Sequence, residues 1–287
     1  MVSAMNRPPP MVSVIIPTFN RNGMLKEAVD SVLDQDYGNT ELIVVDDGST
    51  DATARTLSAY EDRLHLLRQE NRGVSAARNA GIRAAAGTLI ALLDSDDLWL
   101  PGKLRAQVDY FEAHPEALIC QTEEIWIRNG VRVNPGKRHR KEAGDIFERS
   151  LALCLVSPSA VMMRKSLLEE VGLFDERLPA CEDYDLWLRI AWKYPVHLID
   201  TPLIVKRGGH TDQLSRMPEL DKYRIRSICN LLDRGCLSPS QKEASVGMLK
   251  TKCTIYAQGC RKRGRAEDAL HYEQLAGRYE SFGHRHK

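Results

Sequence analysis

Hydrophobic residues in the first hundred positions follow two alternating spacings, and each spacing predicts a different secondary structure. Short apolar runs predict four strands, at 11–17, 41–47, 64–69 and 88–94. Between them, apolar residues recur at helical spacing, which predicts amphipathic helices. Strand–helix units that repeat every ~20–25 residues are typical of a parallel, doubly wound α/β sheet with right-handed crossovers.

The pattern is less regular after residue 118. Apolar residues in 117–127 predict a strand, the polar segment 128–144 predicts a loop, and the spacing in 182–194 predicts a helix. From about residue 218 the apolar residues keep helical spacing only, which predicts three consecutive helices. We therefore place a boundary near residue 215, between an α/β domain and a C-terminal helical appendage.

The overall composition excludes several classes of protein. The chain has 287 residues, of which 43% are hydrophobic and 28% charged, with a formal net charge of +1. These values fit a large hydrophobic core and exclude both a disordered chain and a nucleic-acid binder that depends on bulk charge. No stretch approaches the ~20 apolar residues of a membrane span, so we expect a cytoplasmic protein with at most peripheral membrane contact. The seven cysteines include no CxxC pair, which argues against structural zinc and fits a reducing compartment.

Positive charge is concentrated at the C-terminal end of the chain. Residues 215–287 carry 15 Lys or Arg against 8 Asp or Glu. Two interpretations remain open, attraction to an anionic surface or a solvated helical face. The predicted helices could accordingly pack on the α/β domain, form a homodimer or lie against anionic lipid.

Acidic residues follow two of the predicted strands. Asp47 ends the second strand, and Asp94, Asp96 and Asp97 end the fourth. Ligands of an open parallel sheet bind beyond the carboxyl ends of its strands, and carboxylates beside a buried strand need a cation. A Mn²⁺ or Mg²⁺ ion shared between these carboxylates and the phosphates of a nucleotide meets that need.

Neither of the common glycine-rich loops is available to hold those phosphates. The sequence lacks a GxxxxGK[ST] loop and has no GxGxxG after its first strand, which excludes a P-loop NTPase and a dinucleotide-binding domain. Basic side chains must then help the metal to neutralise a diphosphate. Arg72 and Arg78, in the segment before the fourth strand, are candidates for this role.

Several motifs of the sequence occur together in a known order: VSVIIPTFNR, ELIVVDDGSTD, SAARNAGI, LDSDD, FDERL and EDYDLWLR. As a set they resemble the family 2 nucleotide-sugar glycosyltransferases of the GT-A fold, over residues 11–214. The resemblance implies a mixed, mostly parallel GT-A sheet with a nucleotide-binding half at 11–117 and an acceptor half at 118–214. Residues 215–287 would then form a C-terminal helical extension.

The resemblance also implies an activity. We expect a metal-dependent, inverting transfer of one sugar from a nucleotide-diphosphate sugar, with UDP as the expected nucleotide. The sugar would move to a hydroxyl of a glycan or of a lipid-linked acceptor. A catalytically silent nucleotide-sugar-binding module on the same fold is the alternative, and only an activity measurement can exclude it. The donated sugar, the acceptor and the pathway are not determined by the sequence.

The family motifs assign the nucleotide-binding residues position by position. The end of the first strand would line the uracil and ribose pocket, Asp47 would accept a hydrogen bond from the base, and the DSD motif would reach the ribose. Arg78, already a candidate from its position, would contact the diphosphate. These residues are Pro17, Thr18, Phe19, Asp47, Arg78, Asp94 and Ser95.

The same resemblance implies a metal site and a catalytic pair. Asp96 of the DSD motif would bind Mn²⁺ or Mg²⁺, and His210 of KRGGHTD would contact the metal or a phosphate. Asp97 is expected to turn outward or to cap the next segment. Asp183 of the ED motif would be the general base, with Glu182 beside it.

Two further features carry less specific expectations. Cys181 precedes the ED motif, where the family often has a small residue such as glycine; this difference leaves the local backbone geometry open but does not affect the motif. Trp126 and the basic run 137–141 border the expected acceptor cleft, and we expect that run to be a solvated loop. An anionic acceptor is the alternative explanation for its charge.

Overall fold

A computed structural model of the chain describes residues 8–134, 136–210 and 213–283. In these residues nine strands form one sheet, in the order β3-β2-β1-β4-β8-β6-β9-β5, with β7 paired to β6. The strands are β1 (Val12–Thr18), β2 (Thr40–Asp46), β3 (His65–Arg68), β4 (Leu89–Leu92), β5 (Leu98–Trp99), β6 (Ile119–Arg128), β7 (Val131–Val133), β8 (Val161–Arg164) and β9 (His197–Gly208).

Helices cover the sheet and form the C-terminal end of the described chain. They are α1 (Asn22–Leu33), α2 (Thr53–Ser58), α3 (Val74–Ala84), α4 (Lys103–Ala113), α5 (Phe147–Ala152), α6 (Lys165–Val171), α7 (Glu182–Ala191), α8 (Leu220–Asp233), α9 (Pro239–Lys262) and α10 (Ala266–Gly283).

The strands β1 to β4 form the parallel, doubly wound part that the sequence predicted. β1 pairs in parallel with both β2 and β4, and β2 pairs in parallel with β3. Side chains alternate across a strand, so Ile15 joins Ala77 of α3 in one core, while Ile16 joins Leu25 of α1 in the other. Apolar residues on both faces explain why these strands are continuous hydrophobic runs.

The other half of the sheet is mixed. β8 is antiparallel to both β4 and β6, β9 is parallel to β6, and β5 is antiparallel to β9. The sequence did not predict β9, because Pro202 in its middle is unusual in a central strand. The strand accommodates that proline where the register between β6 and β9 shifts, near Glu123.

The three predicted C-terminal helices are present as α8, α9 and α10. They do not have a core of their own, because Ile225, Leu249 and Cys253 belong to the same hydrophobic cluster as Leu151 and Trp187 of the α/β part. The boundary near residue 215 therefore separates two kinds of secondary structure rather than two cores. No helix in the described ranges combines the length and the hydropathy that a bilayer span requires.

A buried lysine lies in the core next to the functional site. Lys103 is fully buried, its Nζ donates to Gln107 Oε1 at 2.5 Å, and the same nitrogen lies 3.9 Å from the centre of the Trp99 ring. Trp99 Nε1 donates to the carbonyl of Ser159 at 2.9 Å. Burial without a carboxylate partner lowers the pKa of Lys103 from 10.5 to about 7.

This lysine predicts a pH-dependent free energy of unfolding. Between about pH 7 and 10.5 the unfolded chain binds a proton at Lys103 that the folded chain does not, so this group makes stability rise with pH. The effect is on the order of a few kcal/mol in total. We expect Lys103→Met to be more stable at pH 7 and to have a flatter profile in urea unfolding. Lys222→Met, at an exposed position, should keep the wild-type slope; equal slopes in all three proteins would contradict the prediction.

Candidate active site

The loops after β1 and β2 are joined by hydrogen bonds at the carboxyl edge of the sheet. The Asn20 side chain accepts from Thr50 N at 2.8 Å, and its backbone N donates to Ser49 Oγ at 2.9 Å. Gly48 has a φ of +82°, and a Cβ there would lie 2.9 Å from Asn71 N, so the β2 loop requires glycine. The result is a closely packed rim beside the strand ends.

Asp47 is buried under this rim and holds the start of α3. Its carboxylate accepts from Gln69 Nε2 at 2.7 Å, Arg72 N at 2.9 Å and Gly73 N at 2.8 Å. These contacts position α3, which carries Arg78. The expected contact between Asp47 and a nucleotide base would have to use an acceptor position that the three donors leave available, and it stays a prediction.

The end of β1 combines a buried hydroxyl group with an exposed aromatic ring. The Thr18 hydroxyl is buried and has no hydrogen-bond partner among the described residues. Phe19, directly after it, has 44% of its surface exposed. Pro17, the residue before them, is buried. An unpaired buried hydroxyl beside an exposed aromatic ring fits a polar, planar ligand.

Three carboxylates converge directly after β4. One oxygen from each of Asp94, Asp96 and Asp97 lies within 4.8 Å of the others, with Ser95 buried between the first two. Carboxylate oxygens are the ligands that Mg²⁺ and Mn²⁺ prefer. This donor set therefore fits a hard divalent cation, as the sequence predicted.

Asp96 faces His210, so the two predicted metal ligands lie together. His210 Nε2 is 2.9 Å from Asp96 Oδ2. Burial, and then the charge of Asp94, raises the pKa of Asp96, against the opposing charges of Arg21 and His210. A divalent ion would remove this repulsion between the carboxylates.

Asp97 does not turn outward, and that expectation is wrong. It is buried, accepts from Ser159 Oγ at 2.6 Å and accepts from Arg207 N at 2.8 Å. Burial, followed by the charges of its two neighbouring aspartates, raises its pKa well above the usual range. Asp97 thus ties the strand end to β9, a contact that required knowledge of the unpredicted strand.

Arg78 connects the DSD motif to the ED motif. Its guanidinium is buried, with Nη1 2.6 Å from Glu182 Oε1 and Nη2 2.7 Å from Asp94 Oδ1. Burial lowers its pKa, but the charges of Asp94 and Glu182 outweigh that effect and raise it. Its guanidinium is occupied by these carboxylates, so the expected direct contact with a diphosphate stays a prediction. Arg72 points elsewhere and pairs with Glu176 at 2.9 Å.

The ED motif begins α7 immediately after a residue in the left-handed region. Cys181 has a φ of 60°, a conformation that favours glycine. Glu182 is buried against Arg78, and burial raises its pKa. Asp183 is only partly buried, accepts from Tyr184 N at 2.7 Å, and lies 3.5 Å from the Cys154 thiol.

Comparison with known protein families shows to which family the chain belongs. The sequence profile of the family "Glycosyl transferase family 2" matches residues 13–172. The chain belongs to glycosyltransferase family 2. The match confirms the resemblance described above, so the protein is a glycosyltransferase. The ED motif lies C-terminal to the matched residues.

Two relatives are similar to much of the sequence of this glycosyltransferase. The "Uncharacterized glycosyltransferase RP339" of Rickettsia prowazekii is 32% identical over 221 residues, which cover 75% of this chain and 69% of that protein. The Escherichia coli enzyme named UDP-Glc:alpha-D-GlcNAc-diphosphoundecaprenol beta-1,3-glucosyltransferase WfgD is 33% identical over 182 residues, which cover 63% and 69%.

Solved structures show that the fold is GT-A. S. aureus TarS 1-349 in complex with UDP-GlcNAc has a TM-score of 0.65 at 18% identity, covering 92% of this chain and 90% of that one. The mannosyltransferase PcManGT from Pyrobaculum calidifontis, in complex with GDP-Man and Mn²⁺, has a TM-score of 0.58 at 19% identity, covering 94% and 86%. The predicted mixed α/β GT-A fold with C-terminal helices is thereby confirmed.

Sequence reasoning on this glycosyltransferase missed the residues that β9 brings to the site. Arg207 donates from Nε to the Asp96 carbonyl at 2.5 Å, and Lys206 lies within electrostatic reach of Asp97 and Asp94. Cys154 was also missed; burial and the charge of Asp183 raise its pKa, so it remains a neutral thiol. The sequence did contain a signal for the two basic residues. Lys206 and Arg207 are adjacent, and adjacent residues of a strand point to opposite faces of a sheet, so a strand here would carry a basic side chain on each face.

Proposed function

We propose that this glycosyltransferase transfers one sugar, by a metal-dependent inverting reaction, from a UDP-linked donor to a hydroxyl of a glycan or lipid-linked acceptor. The observation that carries the proposal is the Arg78 bridge. It holds Asp94 of the carboxylate cluster and Glu182 of the ED motif on the same guanidinium. A nucleotide-binding motif and a candidate base are thus kept in one constant arrangement, as in-line transfer requires.

The nucleotide would bind over the carboxyl ends of β1, β2 and β4. Phe19 is exposed for stacking on the base, and the Thr18 hydroxyl is free to bond the nucleotide. Pro17 and Asp47 shape the pocket, while Asp94 and Ser95 reach the ribose. The UDP-GlcNAc complex of TarS, which shares this fold, supports UDP as the nucleotide.

Asp96 and His210 would hold a Mn²⁺ or Mg²⁺ ion, with Asp94 or Asp97 completing the carboxylate set. The ion would stabilise the charge of the departing diphosphate. Support comes from the convergence of three carboxylate oxygens and from the Mn²⁺ complex of PcManGT. Arg207 and Arg78 keep the carboxylates in place, through hydrogen bonds to the backbone and side chain respectively.

Asp183 would act as the general base. An inverting transfer is a single displacement, so one carboxylate must accept the proton of the acceptor hydroxyl. Asp183 is less buried than Glu182, and Glu182 is committed to Arg78. The Cys154 thiol contacts Asp183 Oδ2 without competing for the proton, because its own pKa is raised.

Two observations bear on the acceptor and on the location of the protein. WfgD is named for transfer to a diphosphoundecaprenol-linked sugar, which favours a glycan or lipid-linked acceptor. All seven cysteines are free, which fits a cytoplasmic protein, with peripheral contact at the inner membrane face as an option. A homodimer through α8–α10 also stays a prediction.

Hydrolysis of nucleotide sugars by the purified protein tests the proposal. A panel of UDP- and GDP-linked donors is incubated without acceptor, with Mn²⁺ or with a chelator, and nucleotide release is measured. We expect slow release of UDP from one donor, abolished by the chelator. Metal-independent release, or release of GDP alone, would contradict the proposed metal or nucleotide. If no donor is hydrolysed, the panel is repeated with glycan acceptors, and continued inactivity would favour a silent binding module.

A further inference from the structure

A separate cavity lies in the acceptor half, between β6 and the segment that follows β7. It has a volume of about 310 Å³, and its lining includes Glu123, Glu124, Trp126, Lys137, Arg140 and Lys141. We call it the basic pocket. Its volume is at the lower end of the range for small-molecule sites, which suits a single sugar residue.

A buried ion pair holds the wall of the basic pocket in place. Lys141 Nζ lies 2.8 Å from Glu124 Oε2 and donates to the Thr122 carbonyl at 2.8 Å. Burial would raise the pKa of Glu124, but the charge of Lys141 outweighs it and lowers the pKa to about 2. The run 137–141 is therefore not simply a solvated loop as expected; its last residue is fastened to β6.

The charges that remain after this pairing are mostly positive. Residues 123–142 contain six Lys or Arg and three Glu, and Glu124 is already neutralised by Lys141. Lys137 and Arg140 are exposed at the rim. Burial, and then the charges of neighbouring basic residues, lowers the pKa of His139, as expected where the local potential is positive.

The strand β9 places the basic pocket next to the carboxylate cluster. Trp126 of β6 is the register partner of Lys206, whose Nζ lies 5.5 Å from the centre of the indole ring. On the opposite side of β9, Leu98 pairs with Val205, and Arg207 N donates to Asp97. Lys206 thus lies between the pocket and the proposed metal site.

We propose that the basic pocket binds an anionic group of the acceptor, a carboxylate or a phosphate, close to the hydroxyl that receives the sugar. Lys137 and Arg140 would form charge-assisted hydrogen bonds with the anion. Glu123 and the ring of Trp126 would contact the neutral part of the sugar that carries it. The inference rests on the proposed glycosyl transfer for its purpose, but the anion preference can be measured without turnover.

Binding of three small probes to the full chain tests this inference. The probes are methyl glucuronide, glucose 6-phosphate and the neutral methyl glucoside, titrated calorimetrically in the presence of UDP and Mn²⁺. The pocket variant is Lys137→Gln/Arg140→Gln, which leaves the Lys141–Glu124 pair intact. The control is Arg63→Gln/Lys222→Gln, which removes two exposed basic charges outside residues 123–142.

We expect one anionic probe to bind the wild type roughly tenfold more tightly than methyl glucoside. The pocket variant should lose this preference and the control should keep it. Preference for the glucuronide would indicate a uronic-acid acceptor, and preference for the phosphate a phosphorylated one. Equal binding of all three probes, no binding at millimolar concentration, or equal losses in both variants would overturn the inference.

UDP affinity, measured separately, distinguishes this inference from the proposed function. The pocket variant should bind UDP like the wild type, since its two substitutions are not in the nucleotide site. If the wild type fails to bind UDP, the proposed function is wrong while the probe preference still stands or falls by itself.

Discussion

Asp183→Asn should lower the rate of sugar transfer by about two to four orders of magnitude and leave UDP affinity unchanged. The amide has the same shape and can still accept from Tyr184 N, a bond that measures 2.7 Å, but it cannot take a proton from the acceptor hydroxyl. Initial rates with donor and acceptor, and calorimetry with UDP, measure the two quantities.

Two variants separate this loss from a general effect of removing a carboxylate. Asp200→Asn makes the same change at an exposed position of β9 and should retain wild-type turnover. Glu182→Gln breaks the ion pair with Arg78, so it should weaken both donor binding and transfer. Wild-type turnover in Asp183→Asn would assign the base to another residue.

Asp96→Asn should weaken Mn²⁺-dependent UDP binding by about ten- to hundredfold. The substitution removes one charged oxygen from the cluster and the partner of His210. In the presence of a chelator the wild type and the variant should bind UDP equally, because the difference acts through the metal. Calorimetry with and without Mn²⁺ measures both affinities.

The thermal stability of the metal-free variant provides the control. Burial and the charge of Asp94 raise the pKa of Asp96, which means that the charged form of Asp96 is unfavourable without a metal. Asp96→Asn removes this charge and its repulsion with Asp94, so the variant should melt no lower than the wild type. His210→Gln should reduce the metal dependence in the same direction if that ring is a ligand. Equal UDP affinity of the wild type and Asp96→Asn with Mn²⁺ would rule out the metal role of Asp96.

Local patterns in the sequence were sufficient for one half of the fold. The buried strands β1 to β4 alternate with helices whose apolar spacing is clear, and such units admit few topologies. The carboxylates at the ends of those strands had to meet at one edge, since the ends of parallel strands lie together. The structure brings Asp94, Asp96 and His210 together as the motifs predicted.

In the other half of the fold, only the tertiary structure determined which strands and which side chains pair with one another. The sequence did not predict β9, because Pro202 lies within it. Without β9, neither the burial of Asp97 nor the position of Lys206 could be predicted. The two carboxylate partners of Arg78 are likewise separated from it by 16 and 104 residues in the chain. A repeat of hydrophobic positions determines which side of an element is buried, whereas the choice of a distant partner depends on packing that no local pattern contains.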